Sequence, residues 1–174
     1  MSSAQAEDAC NAYGVTILES GDWDSVLNEA SGIYVASHSG GEPLAFLVYI
    51  QPGPSGYPTS FRGLTWRDTN GRRLSATAAA NVLRGAAGAC PDARIGEIMV
   101  MCRSQQSQGG VARSLLGNYL EGQRRGDVVY AGATRGEVDG RGPTTAWRRL
   151  GFEQVDIQVK EGAYDQNAMV LRVP

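Results

Sequence analysis

Histidine occurs once in this 174-residue chain, at His38, and lysine once, at Lys160. A single histidine excludes mechanisms that need several. Cys10, Cys90 and Cys102 are odd in number and lack metal-ligand spacing, which argues against both a zinc site and a disulfide framework. No metal is expected. His38 stands beside Ser39-Gly40-Gly41 between two strand-like runs and reads as a turn residue rather than a catalyst. Arginine so dominates the basic residues that coding bias explains it better than chemistry does. No stretch reaches the roughly 18 apolar residues that cross a bilayer. The start MSSAQAEDAC has neither the basic flank nor the apolar run of a secretory signal. The expectation is a cytoplasmic protein with no membrane partner. A net charge of -2 offers no general attraction to nucleic acid, so any anion site must be local.

What is present is an ordinary globular composition, 42% hydrophobic and 20% charged. The length suits one domain, with residues 1–12 as a flexible tail and 13–174 as the domain. The first half predicts a strand over Gly14–Leu18, a short helix over Asp22–Ala30, and strands Ile33–Ser37 and Leu44–Ile50 flanking the turn His38–Glu42. From Gln51 to Asn70 the chain is rich in Pro, Gly, Ser and Thr, so regular structure is not expected there. A long excursion of this kind is usually functional. Its aromatic residues Tyr57, Phe61 and Trp66 are therefore expected to line an acceptor pocket. Ser75 is placed to cap a helix that Gly85 and Gly88 would end.

The second half is regular. The pattern predicts strand Ile95–Cys102, a glycine turn, helix Gly110–Arg124, strand Asp127–Thr134, helix Pro143–Leu150, and strands Phe152–Val159 and Ala168–Val173. Val111, Leu115, Leu116, Tyr119 and Leu120 share one helical face and read as core. The fold class is α/β, a mixed central β-sheet flanked by helices, with an elaborated loop and helix inserted between the third and fourth strands.

The most informative stretch is the turn Ser107-Gln108-Gly109-Gly110-Val111-Ala112 between strand and helix. Unpaired N–H groups at a helix start, at the positive end of its dipole, make an anion site. Glycines let the main chain approach the ligand. Arg113 either adds a cation or is an ordinary surface arginine. The Walker and dinucleotide fingerprints are both absent.

Here the sequence resembles the GNAT superfamily of acyl-CoA-dependent acyltransferases. Gly110-Val111-Ala112, continuing as Arg113-Ser114-Leu115-Leu116, is similar to the family's cofactor turn. Ala146-Trp147-Arg148-Arg149-Leu150-Gly151-Phe152 is similar to its second signature, a helix ending in Leu-Gly-Phe. The resemblance covers about Ile95 to Val159. It implies the GNAT fold, with acetyl-CoA or another acyl-CoA as co-substrate and its pyrophosphate on Gln108, Gly109, Gly110, Val111, Ala112 and Arg113. It also implies a thioester carbonyl held by backbone N–H groups near Val100, Met101 and Cys102. Two departures stand out. Ser107 replaces the usual Arg or Gln, and Trp147 replaces a tyrosine that would protonate the leaving thiolate, which an indole cannot do.

An alkyl ammonium with pKa about 10.4 must lose a proton before it attacks a thioester. Glu97, in an otherwise apolar strand, is the candidate base or else a solvent-facing residue. Tyr130 is the candidate donor to the thiolate or else a core side chain. A covalent route through Cys102 lacks an activating histidine nearby in sequence. The acceptor region implied by the family is the first helix, the loop Gln51–Asn70 and the turn Glu161–Asn167. Its few charges favour a neutral or single-amine small molecule, such as an amino-acid-derived metabolite. Two alternatives stay open: transfer of longer or carrier-bound acyl groups, and a GNAT-fold module that binds acyl-CoA without catalysis. A homodimer is also left open.

Overall fold

The computed structural model describes residues 20–37, 43–103, 110–135 and 140–174. Its elements in chain order are α1 (Ser20–Glu29), β1 (Gly32–Ser37), β2 (Pro43–Ile50), a 3-10 turn (Thr59–Arg62), β3 (Thr65–Arg67), β4 (Arg73–Leu74), α2 (Ala76–Ala86), β5 (Ile95–Arg103), α3 (Val111–Glu121), β6 (Val128–Thr134), α4 (Pro143–Arg149), β7 (Glu153–Glu161) and β8 (Tyr164–Arg172). The predicted strand Gly14–Leu18 and turn His38–Glu42 lie outside the described residues. The chain falls into two compact units. One holds the residues up to Ile50 with Ile98–Gly122, and the other Gln51–Glu97 with Gln123–Pro174.

In the first unit β1 and β2 pair antiparallel, from Gly32 opposite Tyr49 to Ser37 opposite Pro43, and β5 follows β2 in strand order. Ala45, Phe46, Leu47 and Val48 are all fully buried, the mark of a strand covered on both faces. One face gathers Phe46, Val48, Val100 and Cys102, with Val26 and Leu27 of α1 packed against them. Leu115, Leu116 and Tyr119 of α3 are buried, and the Tyr119 ring lies 5.2 Å from Tyr49 and 6.1 Å from Tyr34. The apolar stripe predicted for this helix is therefore its core face.

The second unit carries the strand order β5-β6-β8-β7-β3-β4. β8 pairs antiparallel with β6, from Gln166 opposite Thr134 to Arg172 opposite Val128. It also forms a hairpin with β7, from Tyr164 opposite Glu161. Ser75 caps α2 as predicted, its Oγ accepting from Ala78 N–H at 3.1 Å. Trp147 on α4 is buried against Phe152, ring centroids 4.8 Å apart, so Trp147 packs the end of this helix.

The segment Gln51–Asn70 departs from the expectation. It contains the 3-10 turn and β3, which pairs with β7 at Thr65 opposite Lys160 and Trp66 opposite Val159. Its aromatics do not line a pocket. Phe61 and Trp66 are essentially fully buried, ring centroids 5.0 Å apart, with Tyr57 stacked on Phe61 at 5.8 Å. Trp66 Nε1 donates to the Phe61 carbonyl at 2.9 Å, so the indole leaves the water without an unmet donor. Aromatic side chains gain too much from burial to stay in a solvated loop when a sheet edge is available. Arg84, also buried, ties the segment down by donating to the carbonyls of Gly56 at 3.1 Å and Ala93 at 2.6 Å.

Among the described residues no helix is long and apolar enough to cross a membrane. No group of three or more His, Cys, Asp or Glu among them is placed to hold a metal ion.

Candidate functional site

In the first unit β5 ends at Arg103 and α3 begins at Val111. Ser107, Gln108 and Gly109 of the predicted phosphate turn lie outside the described residues. Gly110 is described and is the N-cap, with φ 102° and ψ -15°. That is left-handed backbone, which L side chains rarely adopt, and open space surrounds the position a Cβ would take. Gly110 itself offers no side-chain cap, and no acidic residue occupies the first turn. The N–H groups of Val111, Ala112 and Arg113 lie at the positive end of the helix. This arrangement fits a phosphate group. A groove of about 360 Å³ runs beside it, lined by Tyr34, Val35, Gly110, Val111, Ser114 and Asn118 among others. Arg113 is exposed in the first turn.

Strand β5 alternates along its length. Ile98, Val100 and Cys102 are buried, while Glu97, Met99 and Met101 are half-buried on the other face. The Cys102 side chain belongs to the core cluster with Phe46, Val48 and Val100.

In the second unit Glu97 is half-buried. Ser60 Oγ donates to its Oε2 at 2.5 Å, a length typical of a hydroxyl on a charged carboxylate. Tyr130 is fully buried, its ring 5.1 Å from Phe61 and 5.6 Å from Trp66. Its hydroxyl has no hydrogen-bond partner among the described residues. Burial first, then the negative charges of Glu97 and Glu161, push the Tyr130 phenol well above its ordinary value. The ring is core, as one of its two readings held, and the hydroxyl sits under the influence of two carboxylates.

The turn predicted over Glu161–Asn167 is tighter than expected. Glu161 closes β7, Tyr164 opens β8 and stays exposed, and Gln166 points inward. Gln166 Nε2 donates to Glu161 Oε2 at 2.7 Å, and Asn167 Nδ2 to Thr144 Oγ1 at 3.0 Å. Ser60, Glu161 and Gln166 lie in the acceptor region expected from sequence, which gave none of them a role of its own. For Gln166 a signal existed, a polar residue at an inward position of the alternation Gln166, Ala168, Val170. For Ser60 there was none.

No protein-family model matches this sequence, and neither does any curated protein. Solved structures do. The chain is similar to Arabidopsis thaliana NAA60 in complex with a bisubstrate analogue, at 12% identity and TM-score 0.55, over 98% of this chain and 91% of that one. It is similar to the GNAT family N-acetyltransferase YhbS from Escherichia coli in complex with CoA, at 11% identity and TM-score 0.51, over 99% and 76%. This chain has the GNAT fold. A third GNAT-fold neighbour is the diaminobutyrate acetyltransferase EctA from Paenibacillus lautus with its substrate and coenzyme A, at 10% identity and TM-score 0.50, over 98% and 89%. The stretches that carried the resemblance in sequence lie at the start of α3 and the end of α4, with β6 between them in the chain.

Proposed function

We propose that this chain transfers an acetyl group from acetyl-CoA to the amine of a small molecule or amino-acid-derived metabolite, by direct attack within a ternary complex. The observation that carries the reading is the Glu97 carboxylate on β5, which accepts a hydrogen bond from the Ser60 hydroxyl. The acetyltransferases that share the fold support it at the level of reaction type.

The pyrophosphate of the co-substrate rests on the N–H groups of Val111, Ala112 and Arg113 beside Gly110. Main-chain N–H groups near Val100, Met101 and Cys102 hold the thioester carbonyl and take up its negative charge. At neutral pH less than about a thousandth of an alkyl amine is uncharged. Its lone pair forms the C–N bond, and the nitrogen, now far more acidic, passes its proton to the Glu97 carboxylate. Collapse of the adduct breaks the C–S bond. The departing thiolate then takes up a proton, and Tyr130, kept protonated through the neutral range, is the candidate donor.

Thermal melting with acetyl-CoA, desulfo-CoA and longer acyl-CoAs tests the binding half, because a ligand of the native state alone raises the melting temperature. Acetyl-CoA is expected to raise it more than the longer thioesters do. The absence of any shift at millimolar concentration would sink the reading. Release of free CoA thiol with a panel of amines tests the transfer half.

A further inference from the structure

We propose that Ser60 is a positioning residue of this reaction: its hydroxyl, carried on the 3-10 turn, fixes the Glu97 carboxylate in the orientation that accepts the amine proton. The inference rests on the reading of Glu97 as the base.

The turn that presents Ser60 is anchored on both sides. Phe61 N–H donates to the Pro58 carbonyl at 3.1 Å, and Gly63 N–H to the Ser60 carbonyl at 2.9 Å. Phe61 itself is fully buried between Trp66 and Tyr130. Adjacent residues of one turn thus grip the two candidate catalytic side chains, Ser60 the carboxylate of Glu97 and Phe61 the ring of Tyr130. A glutamate side chain has several freely rotating bonds, and ordering it costs conformational entropy. The hydroxyl at 2.5 Å offsets that cost in one orientation. It replaces the aromatic acceptor pocket expected from the same segment with a different role, support of the base.

The hydrogen bond also has a sign. A hydroxyl donor favours the charged carboxylate, whereas half-burial disfavours it. In the second unit Ser60 from the 3-10 turn donates to Glu97, whose charge also acts on the Tyr130 phenol of β6, as does that of Glu161 on β7. Loss of Ser60 removes this donor and leaves half-burial in place.

The test titrates protein labelled with 13C at glutamate carboxyl carbons, with the Glu97 signal assigned by its disappearance in Glu97→Gln. In parallel, kcat/KM is measured against pH. Ser60→Ala is expected to raise the Glu97 midpoint and move the acid limb of kcat/KM to higher pH by the same amount, a loss of about three- to tenfold on that limb. Ser60→Thr restores both. In a Glu97→Gln background Ser60→Ala has no further effect on turnover, and the melting shift with acetyl-CoA is unchanged throughout. An unmoved Glu97 midpoint in Ser60→Ala overturns the proposal. A midpoint that moves while the acid limb stays put removes Glu97 from proton transfer and overturns the reading on which the proposal rests. The carboxyl titration needs no turnover, so the two failures are distinguishable.

Discussion

Gln166 occupies the space that a side chain on Gly132 would need. Its Oε1 and side-chain carbonyl carbon are the nearest atoms to the position of a Cβ there, with Tyr130 Oη 3.3 Å away on the same face. Glycine on β6 lets the carboxamide lie over the sheet and reach Glu161 at 2.7 Å. Gly132→Ala forces the carboxamide out and breaks that part-buried hydrogen bond. The expected loss of stability is about 1–3 kcal/mol. Urea denaturation of Gly132→Ala, Gln166→Ala and the double variant checks it. The double variant should cost less than the sum by about 1 kcal/mol or more, because both changes remove the same contact.

Phe61 separates two readings of the segment Gln51–Asn70. As a core residue, fully buried against Trp66 and Tyr130, it should lose about 3–5 kcal/mol of stability on replacement by alanine. An aromatic lining an acceptor pocket would instead raise the KM for the amine and leave stability nearly untouched. Phe61→Ala should show its main effect in the denaturation midpoint, with Phe61→Leu recovering most of it.

Local signals made α2, α3, β6 and α4 legible. A cap at Ser75, an apolar stripe at helical spacing and a glycine before Val111 each act over one or two turns of chain. Burial of Tyr57, Phe61 and Trp66 was not legible, because it depends on β7 arriving beside β3 some ninety residues later in the chain. The Pro and Gly around these aromatics describe backbone turns and say nothing of where a ring points. The Ser60–Glu97 contact spans 37 residues and follows no period. Only the oddity of a carboxylate in the apolar run Ile95–Met101 hinted that Glu97 needed a partner.

Gly110 opens the described part of the proposed phosphate cradle. With φ at 102°, any L side chain is strained there, and a bulky one also fills the space the phosphate would take. Gly110→Val should lower the melting temperature and abolish its rise with acetyl-CoA. Gly71→Val supplies the control for strain alone, since Gly71 has φ 79° and open space around it in the second unit. That variant should lower the melting temperature comparably and keep the rise with acetyl-CoA. Retention of the full shift in Gly110→Val would move the co-substrate elsewhere.

Tyr130→Phe couples stability, pH and turnover at one hydroxyl. Burial, then Glu97 and Glu161, hold the folded-state phenol well above 10.0, the ordinary value that the unfolded chain regains. A group raised on folding contributes stability that is present below the unfolded value and is lost as pH rises through the folded one. The wild type should therefore weaken as pH climbs past about 10, and Tyr130→Phe should weaken less over the same interval. Near neutral pH the variant loses only a hydroxyl without a hydrogen-bond partner among the described residues, so its stability should match the wild type or exceed it by up to about 1 kcal/mol. Its kcat should nevertheless fall about tenfold or more, because the departing thiolate loses its donor. Urea midpoints near pH 8 and pH 10.5, measured beside CoA thiol release, separate the effects. Unchanged kcat with the predicted stability profile would leave Tyr130 as a core residue and require another donor for the sulfur.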